Sequence, residues 1–429
     1  MRLGGFKQPF SKQMSCLWRR ISWPIAIIFA IIFTTAGIFK DVPISHQFQS
    51  PLGDPSPNLF SNGAINSYRH DINENLLLDH QQCQREFPGL FEEVDRHLRN
   101  QTSRKITIGQ LDEVKIQNGY VRAMIYSGKI YIIATKGKVY SRGLATLQAL
   151  HAAVITSPET IPNIEFIFNV DDRVDPTLPQ WTYARRPSET ELWLMPDFGY
   201  WSWPEAKVGS YGEVRLKAAT LEEEYPWRSK VDKLVWRGAT MELGLRESLL
   251  NVTRGQDWAD VKALRWHDNS SLQRDYLPMA DHCKYKYLAH TEGNSYSGRL
   301  KYLQNCDSVI VAHKMDWIQH HHPLLRSSGS AQNYVEVDRT FKNLNETIQW
   351  LRSHDHQASR IASNSIRTFR DKYLTPAATT CYWRRLIRAW KIATDIEPEF
   401  FRDDNRTRVW RGLPIESYLL ERRLDWEPY

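Results

Sequence analysis

One stretch limits what this chain can become before any other is read. From Ile21 to Phe39 (ISWPIAIIFAIIFTTAGIF) nineteen residues pass without a charge. A helix needs about twenty predominantly apolar residues to cross a bilayer, where the segment must satisfy its own backbone polar groups. Arg2, Lys7, Lys12, Arg19 and Arg20 precede the run with no acidic residue among them, and Lys40 and Asp41 follow it. A basic flank of this kind stays on the cytoplasmic side. The pattern predicts a single-pass type II protein: a cytoplasmic tail at 1–20, a signal anchor at 21–39, and the rest in the lumen of the Golgi or endoplasmic reticulum. A cleaved signal peptide is the competing reading, but its apolar core of about 7–15 residues would be shorter than this run.

An oxidising lumen changes what the cysteines mean. Cys16 precedes the anchor, and Cys83, Cys283, Cys306 and Cys381 follow it. An even number there predicts two disulfides, with three possible pairings. Asn100, Asn251, Asn269, Asn345 and Asn405 each open an Asn-x-Ser/Thr sequon, and all five are glycan acceptors if lumenal. Five of the 56 basic residues lie in the cytoplasmic flank, which leaves 51 to face 49 acidic ones. So balanced a remainder gives no reason to expect a nucleic-acid partner. Nineteen Tyr and sixteen Trp suit stacking on a sugar or a nucleobase, although packing a core accounts for most of them.

Residues 40–80 are polar and rich in Pro, Ser, Asn and Gly, a composition that suits an extended stem. Folded structure is expected from Gln81. Lys129–Thr135 and Ile164–Val170 read as buried strands, and Ser141–Ile155 between them has helical spacing. A strand–helix–strand order favours an α/β layer with a parallel sheet. The second half continues in the same style. Strands are expected at Lys233–Trp236, Tyr285–Ala289, Ser308–Ala312 and Tyr334–Val337. Helices are expected at Leu243–Leu250, Ser297–Gln304, Leu344–Tyr373 (a pair) and Cys381–Thr394. The boundaries fall at 81–205 for a first α/β domain, 206–375 for a second, and 376–429 for closing helices. Ligands of open α/β sheets sit beyond the carboxyl ends of the strands.

The segment that speaks most clearly of chemistry is Glu292-Gly293-Asn294-Ser295-Tyr296-Ser297-Gly298-Arg299, between a strand and a helix. Gly293 and Gly298 allow close backbone approach, a helix start attracts anions, and Arg299 offers a planar fork for phosphate oxygens. Arg237 and Gly238 end another strand, with Arg246 a little further on. An ordinary capped helix and salt-bridged structural arginines are the plainer reading of each feature taken alone.

Together the pieces carry a resemblance. Trp236-Arg237-Gly238, Arg246, Lys284-Tyr285-Lys286-Tyr287, the run Glu292–Arg299, Lys301-Tyr302-Leu303, Cys306 and Ser308 resemble glycosyltransferase family 90, the capsule-associated and protein O-glucosyltransferase-like group. Pro196-Asp197-Phe198 and Trp201-Ser202-Trp203-Pro204-Glu205 fit the same likeness, which covers about 163–390. The resemblance implies a GT-B fold, with two Rossmann-like domains and a cleft between them: an acceptor-side domain at 81–205 that carries the catalytic base and a nucleotide-sugar-binding domain at 206–375. It implies a UDP-sugar donor, carrying xylose or glucose, whose diphosphate is held by Arg237 and Arg299 with Ser295 and Ser297 nearby. Gly238, Arg246, Glu292 and Gly293 belong to the same donor-binding set. The acceptor would be a glycan, glycolipid or protein hydroxyl. The resemblance also implies the disulfides Cys283–Cys306 and Cys83–Cys381.

Inverting transfer needs a carboxylate to take the proton from the acceptor hydroxyl. The family carries it in an Asn-x-Arg-Asp context just after a strand, and Asn169-Val170-Asp171-Asp172 falls at that place. Asp172 is the expected base, with Asp171 and Asp175 as alternatives. The chain contains no Asp-x-Asp triplet, so arginines rather than a divalent metal are expected to neutralise the leaving UDP, and no cofactor is expected. His320-His321-His322 is expected in a loop, since consecutive side chains diverge too far to ligate one ion, and the resemblance implies that this loop lies beside the donor cleft. A serine hydrolase is disfavoured because Gly293-Asn294-Ser295-Tyr296-Ser297 lacks the second glycine of a nucleophile elbow. An inactive lumenal glycan-binding or scaffold protein of the same fold is the remaining alternative.

Overall fold

The computed structural model describes residues 72–100, 105–136, 139–172, 174–404 and 407–424, all within the compact unit Phe60–Tyr429. The predicted tail and anchor, the stem up to residue 71, Cys16 and Asn405 lie outside the described residues. Among the described residues no helix is long and apolar enough to cross a membrane.

Two sheets organise the chain. The first contains β1 (Tyr120–Tyr126), β2 (Lys129–Thr135), β3 (Ile164–Asn169), β4 (Trp181–Thr182) and β5 (Trp193–Leu194), in the order β2-β1-β3-β4-β5. The helix Tyr140–Ile155 connects β2 to β3. Here the expectation of a parallel, Rossmann-like first half is corrected. β1 lies between β2 and β3 and runs antiparallel to both; only β3-β4-β5 are parallel. The cause is local. Ser127 and Gly128 both adopt positive φ, at 49° and 72°, which closes a two-residue hairpin between Tyr126 and Lys129. β1 therefore folds back onto β2 and occupies the place that β3 would take in a βαβ unit.

The second sheet is the parallel one. β6 (Val231–Gly238), β7 (Ala259–Ala263), β8 (Tyr285–His290), β9 (Val309–His313) and β10 (Val335–Val337) are ordered β10-β9-β8-β6-β7, and all four pairings are parallel. Strand alternation sends Leu234, Trp236, Tyr287, Ala289, Val309 and Val311 into one apolar layer. Val235, Leu288, Ile310 and Ala312 enter the other. A sheet buried on both faces needs such continuous apolar strands.

The helix Pro376–Ala393 returns to the first lobe, where Trp383 and Trp390 meet Trp181 and Trp390 meets Trp193 edge-on. Truncating either of these buried indoles to Ala would cost about 3–5 kcal/mol. The last strand, β11 (Leu413–Pro414), closes the edge of the first sheet on β2. Both disulfides that the resemblance implied are present. Cys83–Cys381 ties the helix His80–Glu86 to the closing helix, and Cys283–Cys306 joins the turn before β8 to the segment before β9.

Candidate active site

The carboxyl ends of β3, β6 and β8 converge on a cavity of about 320 Å³. The second lobe contributes Arg237, Arg246, His282, Gly293, Asn294, Ser297, Gly298 and Arg299 to its wall. The first contributes Arg142, Asp172, Phe198 and Trp203. A second, more open cavity adjoins it, lined by Gln117, Asn118, Tyr120, Lys136, Asp171, Asp172, Val174, Asp175 and Asn294. Asp172 and Asn294 line both, so the boundary between the two spaces runs along these side chains.

Arg299 is the group most plainly waiting for a ligand. It is half-buried, and desolvation, followed by the neighbouring Arg246, pushes its pKa down to about 9. Its Nη1 has no hydrogen-bond partner among the described residues. Its guanidinium lies 5.5 Å over the Trp236 ring, packed so tightly on Gly238 that a Cβ there would stand 2.6 Å from Nη2. Gly238 thus serves by absence. Arg246 is fixed through Nε on the Glu292 carbonyl (3.0 Å) and Nη1 on the Ala239 carbonyl (2.7 Å). Burial lowers its pKa too. One buried and one half-buried guanidinium, held by carbonyls and an indole rather than by carboxylates, favour an anion between them.

Other expected donor residues are placed differently. All three guanidinium nitrogens of Arg237 are occupied: Nη2 donates to both Asp260 oxygens at 2.8 Å, and Nε donates to the Asp275 carbonyl at 2.8 Å. Nη1 donates to the Trp236 and Asp260 carbonyls. Arg237 touches the cavity, but its donors serve the sheet. Glu292 is buried and accepts from the Asp316 and Trp317 amides (2.9 and 2.8 Å) and from Arg339 (3.1 Å). It organises the loop after β9 and is absent from the cavity wall. The helix expected at Ser297–Gln304 is a single turn, Leu300–Leu303, with Arg299 at its cap. So short a helix has little dipole to offer an anion, which leaves that role to the arginines.

On the opposite wall, Asp172 accepts a hydrogen bond from the Ser295 hydroxyl at 2.9 Å and lies 3.8 Å from Arg142. The loop after β3 is thereby tied to the loop Glu292–Arg299. Asp171 packs on Gly119, where a Cβ would lie 2.9 Å from its Oδ2. Its pKa is raised, by burial first and then by Asp172. Asp175 is taken up by its own turn, accepting from the Thr177 amide and hydroxyl, and these bonds lower its pKa. Of the three, Asp172 alone reaches the first cavity.

His320 and His321 are buried, and His322 half-buried, away from both cavities. His320 stacks edge-on with Tyr200 and Tyr382, and His321 meets Phe369. Among the described residues no group of three His, Cys, Asp or Glu side chains is arranged to hold a metal ion. Of the sequon residues, Asn251, Asn269 and Asn345 are exposed, although Asn345 Oδ1 also accepts from buried Trp258.

Sequence reasoning missed Arg142, His282, Trp266 and Tyr276, all lining the first cavity. Arg142 had left a signal. It occupies the first turn of the helix Tyr140–Ile155, where the macrodipole disfavours a cation. A locally unfavourable choice of that kind marks a place where function can outweigh stability.

Comparison with known proteins fits this geometry. Residues 81–409 match the model of glycosyl transferase family 90, and the chain belongs to that family. It is similar to protein O-glucosyltransferase 1 of Homo sapiens, 24% identical over 251 residues, or 53% of this chain and 62% of the relative. It is also similar to O-glucosyltransferase rumi of Drosophila melanogaster, 23% identical over 329 residues, or 66% of this chain and 75% of the relative. The chain spans about three fifths of the length of the first of these relatives.

Proposed function

We propose that the protein is an inverting glycosyltransferase that moves glucose or xylose from a UDP-sugar to a hydroxyl of a protein, glycan or glycolipid acceptor. One observation carries the reading: buried Arg246 and half-buried Arg299 stand side by side on the donor wall with no carboxylate in a salt bridge to either, while Asp172 faces them from the other lobe. Family membership and the O-glucosyltransferase names of its relatives support it. The two sheets and the cleft between them are read as a GT-B arrangement.

In this reading the diphosphate rests on Arg299 and Arg246, with Ser297 and the Gly293–Asn294 backbone lining its path. The acceptor hydroxyl enters through the cavity lined by Gln117, Tyr120 and Lys136. Asp172 takes the hydroxyl proton as the oxygen attacks the anomeric carbon from the face opposite the diphosphate. The carbon–oxygen bond to UDP breaks, and the arginines stabilise the charge that leaves with it. No divalent metal or cofactor is required. The uncharged run at 21–39 anchors the chain as a type II protein with this cleft in the lumen of the Golgi or endoplasmic reticulum, glycosylated on exposed sequons.

The test is UDP release by the full-length protein from a panel of nucleotide sugars. Release from UDP-glucose or UDP-xylose supports the reading. No release from any donor, together with UDP affinity unchanged in Arg299→Ala, rejects it in favour of an inactive scaffold.

A further inference from the structure

Away from the reacting groups, one ion pair joins the two walls of the donor cavity. Lys301 Nζ lies 2.8 and 2.9 Å from the two Asp197 oxygens and donates to the Gly298 carbonyl at 2.7 Å. The two side chains are 1% and 0% exposed. Asp197 also accepts from the Gly199 amide at 2.7 Å and from Gln319 at 3.2 Å. The ammonium is enclosed by the Tyr302, Tyr200 and Phe198 rings, 4.6, 5.4 and 6.0 Å away.

The place of the pair matters more than its strength. Asp197 begins the segment that carries Phe198 and Trp203, and Lys301 follows the run Ser297–Arg299; the cavity is lined from both. The Tyr302 hydroxyl donates to the Gly199 carbonyl at 2.7 Å. Gly199 has no room for a side chain, since a Cβ would stand 2.5 Å from Lys301 Nζ. Buried ion pairs contribute little net stability, because desolvation offsets their attraction, and apolar pairs of equal volume often serve as well. What an apolar pair cannot do is hold the Gly298 carbonyl, next to Arg299, at a fixed distance from the opposite lobe.

We propose that Asp197 and Lys301 form a positioning pair that holds the donor loop against the Phe198–Trp203 wall and sets the separation between Asp172 and the sugar carried at Arg299. The inference rests on the nucleotide-sugar reading above. In-line transfer is steep in distance, and a misplacement of about 1 Å costs on the order of 100-fold.

The test replaces both charges at once in the full-length protein, as Asp197→Asn with Lys301→Met, so that no lone charge stays buried. The expected result is a kcat for transfer down by about 30-fold, with the melting temperature kept and UDP affinity within about threefold. Transfer at the wild-type rate in a variant with wild-type melting would overturn the proposal. Should the double variant fail to accumulate, Gly199→Ala displaces the ammonium without removing it. Loss of kcat at unchanged UDP affinity is again expected, and an unchanged kcat is the contrary result. A wild type that turns over no nucleotide sugar sinks the function reading instead. The pair is then judged by amide exchange over 293–303, expected about tenfold faster in the double variant; unchanged exchange overturns it.

Discussion

Arg237 and Arg299 sit at the same end of the same sheet, one at the tip of β6 and the other in the loop after β8. Both line the donor cavity, and they are used in opposite ways. Arg237 gives every nitrogen to Asp260, Asp275 and backbone carbonyls. Burial alone would raise Asp260, but hydrogen bonds from Arg237 and Tyr285 overcome it and hold its pKa below the ordinary value. Arg299 is half-buried without a salt-bridged carboxylate, keeps an unpartnered Nη1, and has its own pKa drawn down. The contrast teaches that a cationic side chain in a cleft marks a ligand site only when the fold has left its charge unanswered.

The comparison extends to the two lobes, since the second supplies cations and the first supplies the carboxylate. The sharpest way to break it is Asp172→Asn. Loss of a general base costs about 10²–10⁴-fold, so transfer should fall by about 10³-fold while UDP titrates normally. If Asp171→Asn has that effect instead, the base is one residue earlier. Next comes the arginine pair. Arg299→Ala should weaken UDP binding about 100-fold, the worth of a charge-assisted contact or two, and leave the melting temperature unchanged or raised. Arg237→Ala should do the reverse, lowering stability by about 2–3 kcal/mol through the stranded Asp260 while UDP affinity moves only a few-fold. Equal effects of the two on UDP binding would erase the distinction. Ser295→Ala removes one hydrogen bond to Asp172, of about 1 kcal/mol, and should slow transfer about fivefold without changing UDP affinity.

The smallest effect separates the lobes by pH. Burial holds His282, His313 and His322 at about 4 and His320 at about 3. All four belong to the second lobe or the loop that follows β9. In the first lobe, only His97 is comparably lowered among the described residues, to about 3. These rings are neutral when folded, and once unfolded they take a proton below about pH 6.5. Their contribution to stability is therefore complete above that pH and is lost as the pH falls toward the folded values. Melting temperature should be flat from pH 8 to about 6.5 and decline below it, with amide exchange accelerating first in the second lobe.

How much could be read from the sequence also differs between the lobes. Four of the five parallel strands were legible because burial on both faces requires unbroken apolar runs, as in Val309-Ile310-Val311; the edge strand β7 (Ala259–Ala263) is only partly buried, carries no such run, and was missed. β1 was not legible as a partner, since its place depends on a hairpin at Ser127-Gly128, a turn that leaves only a two-residue trace. The run Glu292–Arg299 pointed to the right loop, but which side chains in it were free for a ligand depends on partners far away in sequence. Glu292 is spent on residues 316, 317 and 339, and Arg237 on residue 260. Arg142 belongs to no motif and enters the site only because β3 and its preceding helix stand beside the second lobe.

The division of labour across the cleft is tested most directly by mapping where UDP alone protects the wild-type protein from hydrogen exchange. The account predicts protection at Trp236–Arg246 and Gly293–Leu303, with Gln117–Lys136 unchanged. Protection concentrated at Gln117–Lys136, or none in the second lobe at saturating UDP, would contradict it.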